Sequence, residues 1–110
     1  MDSPGPPITI TPIADGMRIA FVQPFHMDTS DVEDELQTVI AKKPRHVEVD
    51  LGAVQHLSTI GLGVLISLNH RIHQYGGAVR IVKVRKNTLG VLKTTKLDHV
   101  LEIAPDGIID

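Results

Sequence analysis

The order of apolar and polar positions divides the chain into short segments with two different periods. Ile8-Thr9-Ile10-Thr11 alternates apolar with polar residues, and Met17, Ile19 and Phe21 alternate again after the turn signal Asp15-Gly16. That pattern predicts two strands joined as a hairpin. The period then changes: Val32, Leu36, Val39 and Ile40 recur at helical spacing. They follow Ser30-Asp31-Val32-Glu33, a capping box in which the Ser oxygen and the Glu carboxylate each take a free backbone N–H. Pro44 ends this first helix, and Val47, Val49 and Leu51 alternate in a third strand. A short loop leads to Leu57 and a Ser-Thr pair, and from there a second helix runs to about Tyr75, where Gly76-Gly77 stops it. Val79, Ile81, Val82 and Val84 predict a fourth strand, apolar on both faces and therefore central in its sheet. Asn87 is placed to cap a short third helix through Leu89 and Leu92, and Val100 to Ile103 adds one more short strand.

Alternation of strands and helices from residue 46 to residue 97 calls for right-handed crossovers and parallel pairing, whereas the opening hairpin is antiparallel. The predicted fold class is α/β, with a mixed four- to five-stranded sheet flanked by helices. At 110 residues there is room for one modest core. The expected organisation is a flexible lead-in over residues 1–7, rich in Pro and Gly, one domain over 8–104, and a polar tail over 105–110.

Composition narrows the chemistry. A formal charge of -2 gives no general attraction for phosphate backbones or acidic lipid surfaces, so nucleic acid is not an expected partner. With no cysteine, the chain offers neither a disulfide nor a thiolate site. The longest nearly apolar run, Ile60 to Leu68, is about half of a bilayer span, so membrane insertion is not expected. Met1 to Pro7 lacks the pattern of a signal peptide, and the expected location is the cytoplasm. His70 and His73 share a helix face at a spacing suited to two metal ligands, but no third ligand completes the pattern. His56 lies in a loop without identifiable Ser and acid partners. Asp31, Glu33, Asp34 and Glu35 complement a helix dipole, and Arg80, Lys83, Arg85 and Lys86 read as a solvated basic edge. No set of nucleophile, base and oxyanion donors can be assembled, so neither an enzyme nor a cofactor is expected.

The segment from Asp50 to Leu65 is the most unusual. A strand ends in a short loop, Ser58 and Thr59 sit at a helix start, and Gly61 and Gly63 occupy the first turn of that helix. An interior glycine costs a helix about 1 kcal/mol relative to alanine, and close approach of another surface is a good reason to accept it. Leu62, Val64, Leu65, Ile66 and Leu68 make the helix apolar around more of its circumference than one buried stripe needs, which suits either a core helix or a shared core and partner surface. Ser58 and Thr59 are good N-caps, with or without a further role.

Asp50-Leu51, Leu57-Ser58-Thr59 and Gly61-Leu62-Gly63 together resemble the signature segment of the STAS family, in particular that of anti-sigma factor antagonists. In those proteins the segment has an Asp, two Ser or Thr residues and then Gly-Leu-Gly. Matched on the glycines, Thr59 takes the place of the phosphorylated hydroxyl, Ser58 that of the Asp, and Ile60 that of the second hydroxyl. Phe21 to Asp28 also lacks the Gly common there in the family. The resemblance implies a STAS-like fold and a protein-binding switch. Its partner would be an anti-sigma factor or a GHKL-type serine kinase, bound when the antagonist is unmodified and released when the kinase phosphorylates it. It also implies phosphoacceptor candidates Thr59 and Ser58, beside a partner surface of His56, Leu57, Ile60, Gly61, Leu62, Gly63 and Val64. The alternative within the family is a non-phosphorylated scaffold, stressosome-like or associated with transport.

Overall fold

In the computed structural model, which describes residues 8–21, 30–54, 59–99 and 101–109, the hairpin opens the fold. Strand β1 (Ile8–Ile13) pairs antiparallel with β2 (Gly16–Phe21), Ile8 opposite Phe21 and Ile10 opposite Ile19. The alternation sends Ile8, Ile19 and Phe21 into the core and leaves Thr9, Thr11 and Arg18 on the other face. Helix α1 (Ser30–Ala41) buries Leu36 and Val39 as its spacing predicts. The side chains of its capping box lie outside what the structure describes. Lys43 adopts a left-handed φ of 49° at the helix end, and Pro44 precedes β3 (His46–Asp50), whose Val47 and Val49 are buried.

Helix α2 (Thr59–Gln74) carries the chain back to β4 (Ala78–Arg85), and α3 (Lys86–Thr94) to the short β5 (Glu102–Ile103). The strand order is β1-β2-β3-β4-β5, with every pair after the hairpin parallel. The lead-in, residues 1–7, lies outside the described residues. Residues 105–109, expected to be a polar tail, form a turn of 3-10 helix and a two-residue strand, β6 (Ile108–Ile109), paired parallel with β4. Buried residues of α1, α2 and α3 join those of the strands in one apolar cluster that includes Leu51, Leu65, Ile72, Ile81 and Leu92.

The expected central position of β4 is observed, but its apolar doublet has another cause. Val79, Ile81 and Val84 are buried while Val82 is half-buried. Val49 faces Ile81 and the next residue, Asp50, faces Lys83, so Val82 is the extra residue of a bulge that switches which alternate positions point inward. Asn87 does not cap α3. The strand runs into the helix without a loop, so the N-cap is Arg85, extended at φ −79° and ψ 153° and making no side-chain cap bond.

Two glycine sites shape the connections. Gly76, at φ 89°, ends α2 as a Schellman motif, its N–H donating to His73 C=O at 3.1 Å while Gly77 N–H donates to Ile72 C=O at 3.0 Å. Gly16, which reads from sequence as a turn residue, lies in β2, where any Cβ would overlap the His46 carbonyl oxygen. Close approach of β3, more than turn geometry, demands glycine there. We expect Gly16→Ala to lower stability by about 1–3 kcal/mol through overpacking, seen as a lower urea midpoint at unchanged slope.

The Tyr75 hydroxyl donates to the Pro44 carbonyl at 2.8 Å, tying the end of α2 to the entry of β3, and burial raises its pKa above the ordinary phenol value. The folded state therefore holds this proton more tightly than the unfolded chain does. Its contribution is whole below about pH 10 and is lost as pH rises past that value. Tyr75→Phe should cost about 0.5–1.5 kcal/mol at neutral pH. The gap between wild type and variant should narrow in urea titrations as pH is raised above that range.

Candidate functional site

The described part of the loop that leaves β3, Leu51 to Val54, is tied down at most of its backbone groups. Leu51 N–H donates to Lys83 C=O at 2.8 Å, and Gly52 N–H donates to Asp50 Oδ1 at 2.8 Å. The Gly52 carbonyl accepts from Arg85 Nε at 2.7 Å, Val54 N–H donates to Leu51 C=O at 3.0 Å, and the Val54 carbonyl accepts from Thr88 Oγ1 at 3.3 Å. Leu51 and Val54 are fully buried beneath these bonds. The end of β4 and the start of α3 thus hold the chain from Leu51 to Val54.

Of the basic cluster expected as a solvated edge, Arg80, Lys83 and Lys86 are exposed, whereas Arg85 is half-buried and belongs to this clamp. Neither Arg85 nor Thr88 stands out in the sequence as a site residue. The polar groups they satisfy are 33 and 34 residues away, and only the parallel pairing of β3 with β4 brings them together.

Helix α2 begins at Thr59, within the first turn whose N–H groups have no partner inside the helix. Ser58, His56 and Leu57 lie outside the described residues, as do the side chains of Thr59 and Ile60. Of the remaining residues expected on a partner surface, Gly61 and Val64 are buried, Leu62 is half-buried and Gly63 is exposed. Val64 is core because it falls on the same helix side as Leu68, packed against the sheet.

The outward side holds instead Gly63 and Ile66, the latter 49% exposed, followed by exposed His70 and His73. Positions 59, 63, 66 and 70 recur at helical spacing, so this stripe leads away from the helix start. His70 Nε2 lies 3.3 Å from Gln74 Nε2, within hydrogen-bond reach.

Three features of α2 cost the isolated fold stability. Gly63 has open space where a Cβ would be. Ile66 leaves half of a large apolar side chain in water. Asn69 is buried, with no hydrogen-bond partner for Oδ1 among the described residues, at a cost of about 1–3 kcal/mol. Such concessions concentrate where a surface serves something other than its own fold.

A family model described as STAS domain matches residues 25–106. The chain belongs to the STAS domain family. Solved structures agree in fold across almost the whole chain. An anti-sigma factor antagonist from Mycobacterium paratuberculosis matches with TM-score 0.75 at 21% identity, covering 89% of this chain and 84% of its own. An anti-sigma factor antagonist (STAS) domain protein from Planctomyces limnophilus matches with TM-score 0.71 at 25% identity, covering 88% and 87%. The Bacillus cell fate determinant SpoIIAA, in its phosphorylated form, matches with TM-score 0.65 at 10% identity, covering 90% and 92%. No curated protein sequence matches the chain significantly.

Within this STAS domain, no group of three His, Asp or Glu side chains among the described residues could hold a metal ion, and no described helix is long and apolar enough to cross a membrane. A shallow depression of about 430 Å³ lies at the carboxyl ends of β2, β3 and β4, lined by Ala20, Asp50, Gly52, Lys83, Arg85 and Ile109. The Gly52 N–H and C=O and the Arg85 Nε are engaged in the clamp described above.

Gly63 and Gly90 are both helical and exposed, with nothing within 4 Å of an added Cβ. Gly63→Ala and Gly90→Ala should each raise stability by about 0.5–1 kcal/mol. Thermal denaturation of the two variants beside wild type checks this, and a loss of stability at Gly63 would mean that its surroundings are already filled.

Proposed function

We propose that this STAS domain is an anti-sigma factor antagonist that acts by binding in the cytoplasm, with Thr59 as the phosphorylated hydroxyl and Ser58 as the alternative acceptor. Its partner is an anti-sigma factor or GHKL-type serine kinase, bound by the unmodified protein. The observation that carries the reading is the exposed Gly63 and Ile66 stripe running from the start of α2, where the fold gives up stability without any return inside the chain. The partner surface comprises His56, Leu57, Ile60, Leu62 and Gly63, extended along the helix by Ile66. A SpoIIAA structure of the same fold in a phosphorylated form supports the chemistry.

The energetics give the switch its direction. A phosphate at a helix N-terminus meets unpaired N–H groups and the positive end of the helix dipole, a gain of roughly 0.3–1 kcal/mol for the isolated domain. The same group brings about -1.5 to -2 charges into any contact made over it. An unpaired buried charge costs on the order of 3–5 kcal/mol, which weakens binding roughly hundredfold or more. The domain tolerates phosphate and the complex does not.

The scaffold reading rests on the motif itself, because Ser58 replaces the carboxylate beside the acceptor and Ile60 replaces the second hydroxyl. One set of measurements separates the two. Thr59→Ala should bind the cognate kinase nearly as wild type does while abolishing phosphorylation, and Thr59→Asp should bind at least tenfold more weakly. Ser58→Ala and Ser58→Asp run beside them, with the phosphosite mapped after incubation with ATP. Equal affinity for all five proteins and no phosphate on either residue would leave only the scaffold. Gly63→Ala should weaken the same complex while Gly90→Ala, equally stabilising, leaves it unchanged.

A further inference from the structure

The sheet face away from the helices carries an ordered pattern of charge. Thr11, Arg18, Glu48, Arg80 and Glu102 stand side by side across β1 to β5. Arg18 Nε donates to Glu48 Oε1 at 3.0 Å, and Arg80 Nε lies 3.6 Å from Glu102 Oε1. These side chains remain 42%, 28%, 48% and 67% exposed from Arg18 to Glu102, so the pairing within one molecule leaves them accessible. In the next row Ala20, Asp50 and Lys83 face the same way, and in the row before it Gly16, His46 and Ala78 do. The face is polar and low-sided where the small residues stand.

From β2 to β5 the first row reads plus, minus, plus, minus, and the next reads minus on β3 and plus on β4. Both rows change sign about a line running along the strands between β3 and β4. A two-fold axis along that line lays the face on a copy of itself with every charge opposite its complement. Glu48 meets the partner's Arg80, Asp50 meets the partner's Lys83, and Arg18 meets the partner's Glu102. We propose that this open sheet face is a self-complementary docking surface through which two copies of the chain associate, as an isologous contact requires.

With strands about 4.8 Å apart and residues about 3.3 Å apart, four strands by five residues present roughly 300–400 Å² per copy. Stable complexes bury about 800 Å² per partner. The dimer is therefore weak, concentration-dependent and sensitive to salt. Sheet twist makes the pairs beside the axis the closest, so Glu48 and Arg80 dominate. The helices lie on the opposite side, and both α2 stripes stay open in the dimer.

Sedimentation velocity of the full chain over a range of concentrations tests this at about 20 mM and about 500 mM salt, where the screening length falls from roughly 20 Å to 4 Å. Wild type should shift toward the dimer as concentration rises at low salt, and the shift should vanish at high salt. Glu48→Arg places like charges opposite each other across the axis, and so does Arg80→Glu, so each variant alone should remain monomeric. Mixing them restores opposite charges at both central positions, and the mixture should associate at low salt. Arg18→Glu and Glu102→Arg supply a second exchange at the outer positions, with circular dichroism confirming that each variant is folded. A wild type that stays monomeric at the highest concentration in low salt would overturn the proposal. So would folded variants that associate alone as wild type does, or complementary mixtures that stay monomeric.

Discussion

The hydrogen bond from Arg85 to the Gly52 carbonyl joins the end of β4 to the chain that leaves β3, and with its neighbours it fixes the course of Leu51 to Val54. Parallel neighbours bring their carboxyl ends to the same edge of the sheet, where each chain must turn away and leave backbone groups that a strand partner no longer satisfies. Here the next crossover satisfies them. The bulge at Val82 places the Lys83 carbonyl opposite Leu51 N–H, Arg85 takes the Gly52 carbonyl, and Thr88 takes that of Val54. The described part of this connection, Leu51 to Val54, is thus held by residues that come after α2 in the chain.

Stability is unevenly distributed as a result. The core under the sheet is closed, with Ile19, Val49, Leu51, Val54, Ile81 and Val84 fully buried. Helix α2 is not optimised in the same way, with an exposed glycine and a half-exposed isoleucine on its outward side and, on its buried side, the Asn69 amide oxygen with no partner among the described residues. The two sides of the sheet differ in chemistry. The helix side presents the exposed Gly63 and Ile66 of α2, and the open side presents alternating charge.

Much of this architecture is legible in the chain itself. The hairpin, the buried stripe of α1, the third strand and the end of α2 at Gly76 follow from period and turn chemistry, which act over a few residues and require no knowledge of what packs where. The segment around Thr59 was legible for the same reason, since two hydroxyls and two glycines at a helix start form a local pattern. Tertiary structure alone decided the rest. Gly16 is glycine because β3 passes against it, Val82 is a bulge residue because β3 and β4 slip register by one, and Asn87 gives up the capping role to Arg85 because no loop separates strand from helix. Helical spacing does not say which side of α2 meets the sheet, so Val64 and Ile66, alike in sequence, part company as core and surface. The ladder from Arg18 to Glu102 and the clamp by Arg85 and Thr88 depend on register between strands distant in the chain, and a one-residue slip would send the ladder's side chains to the opposite face.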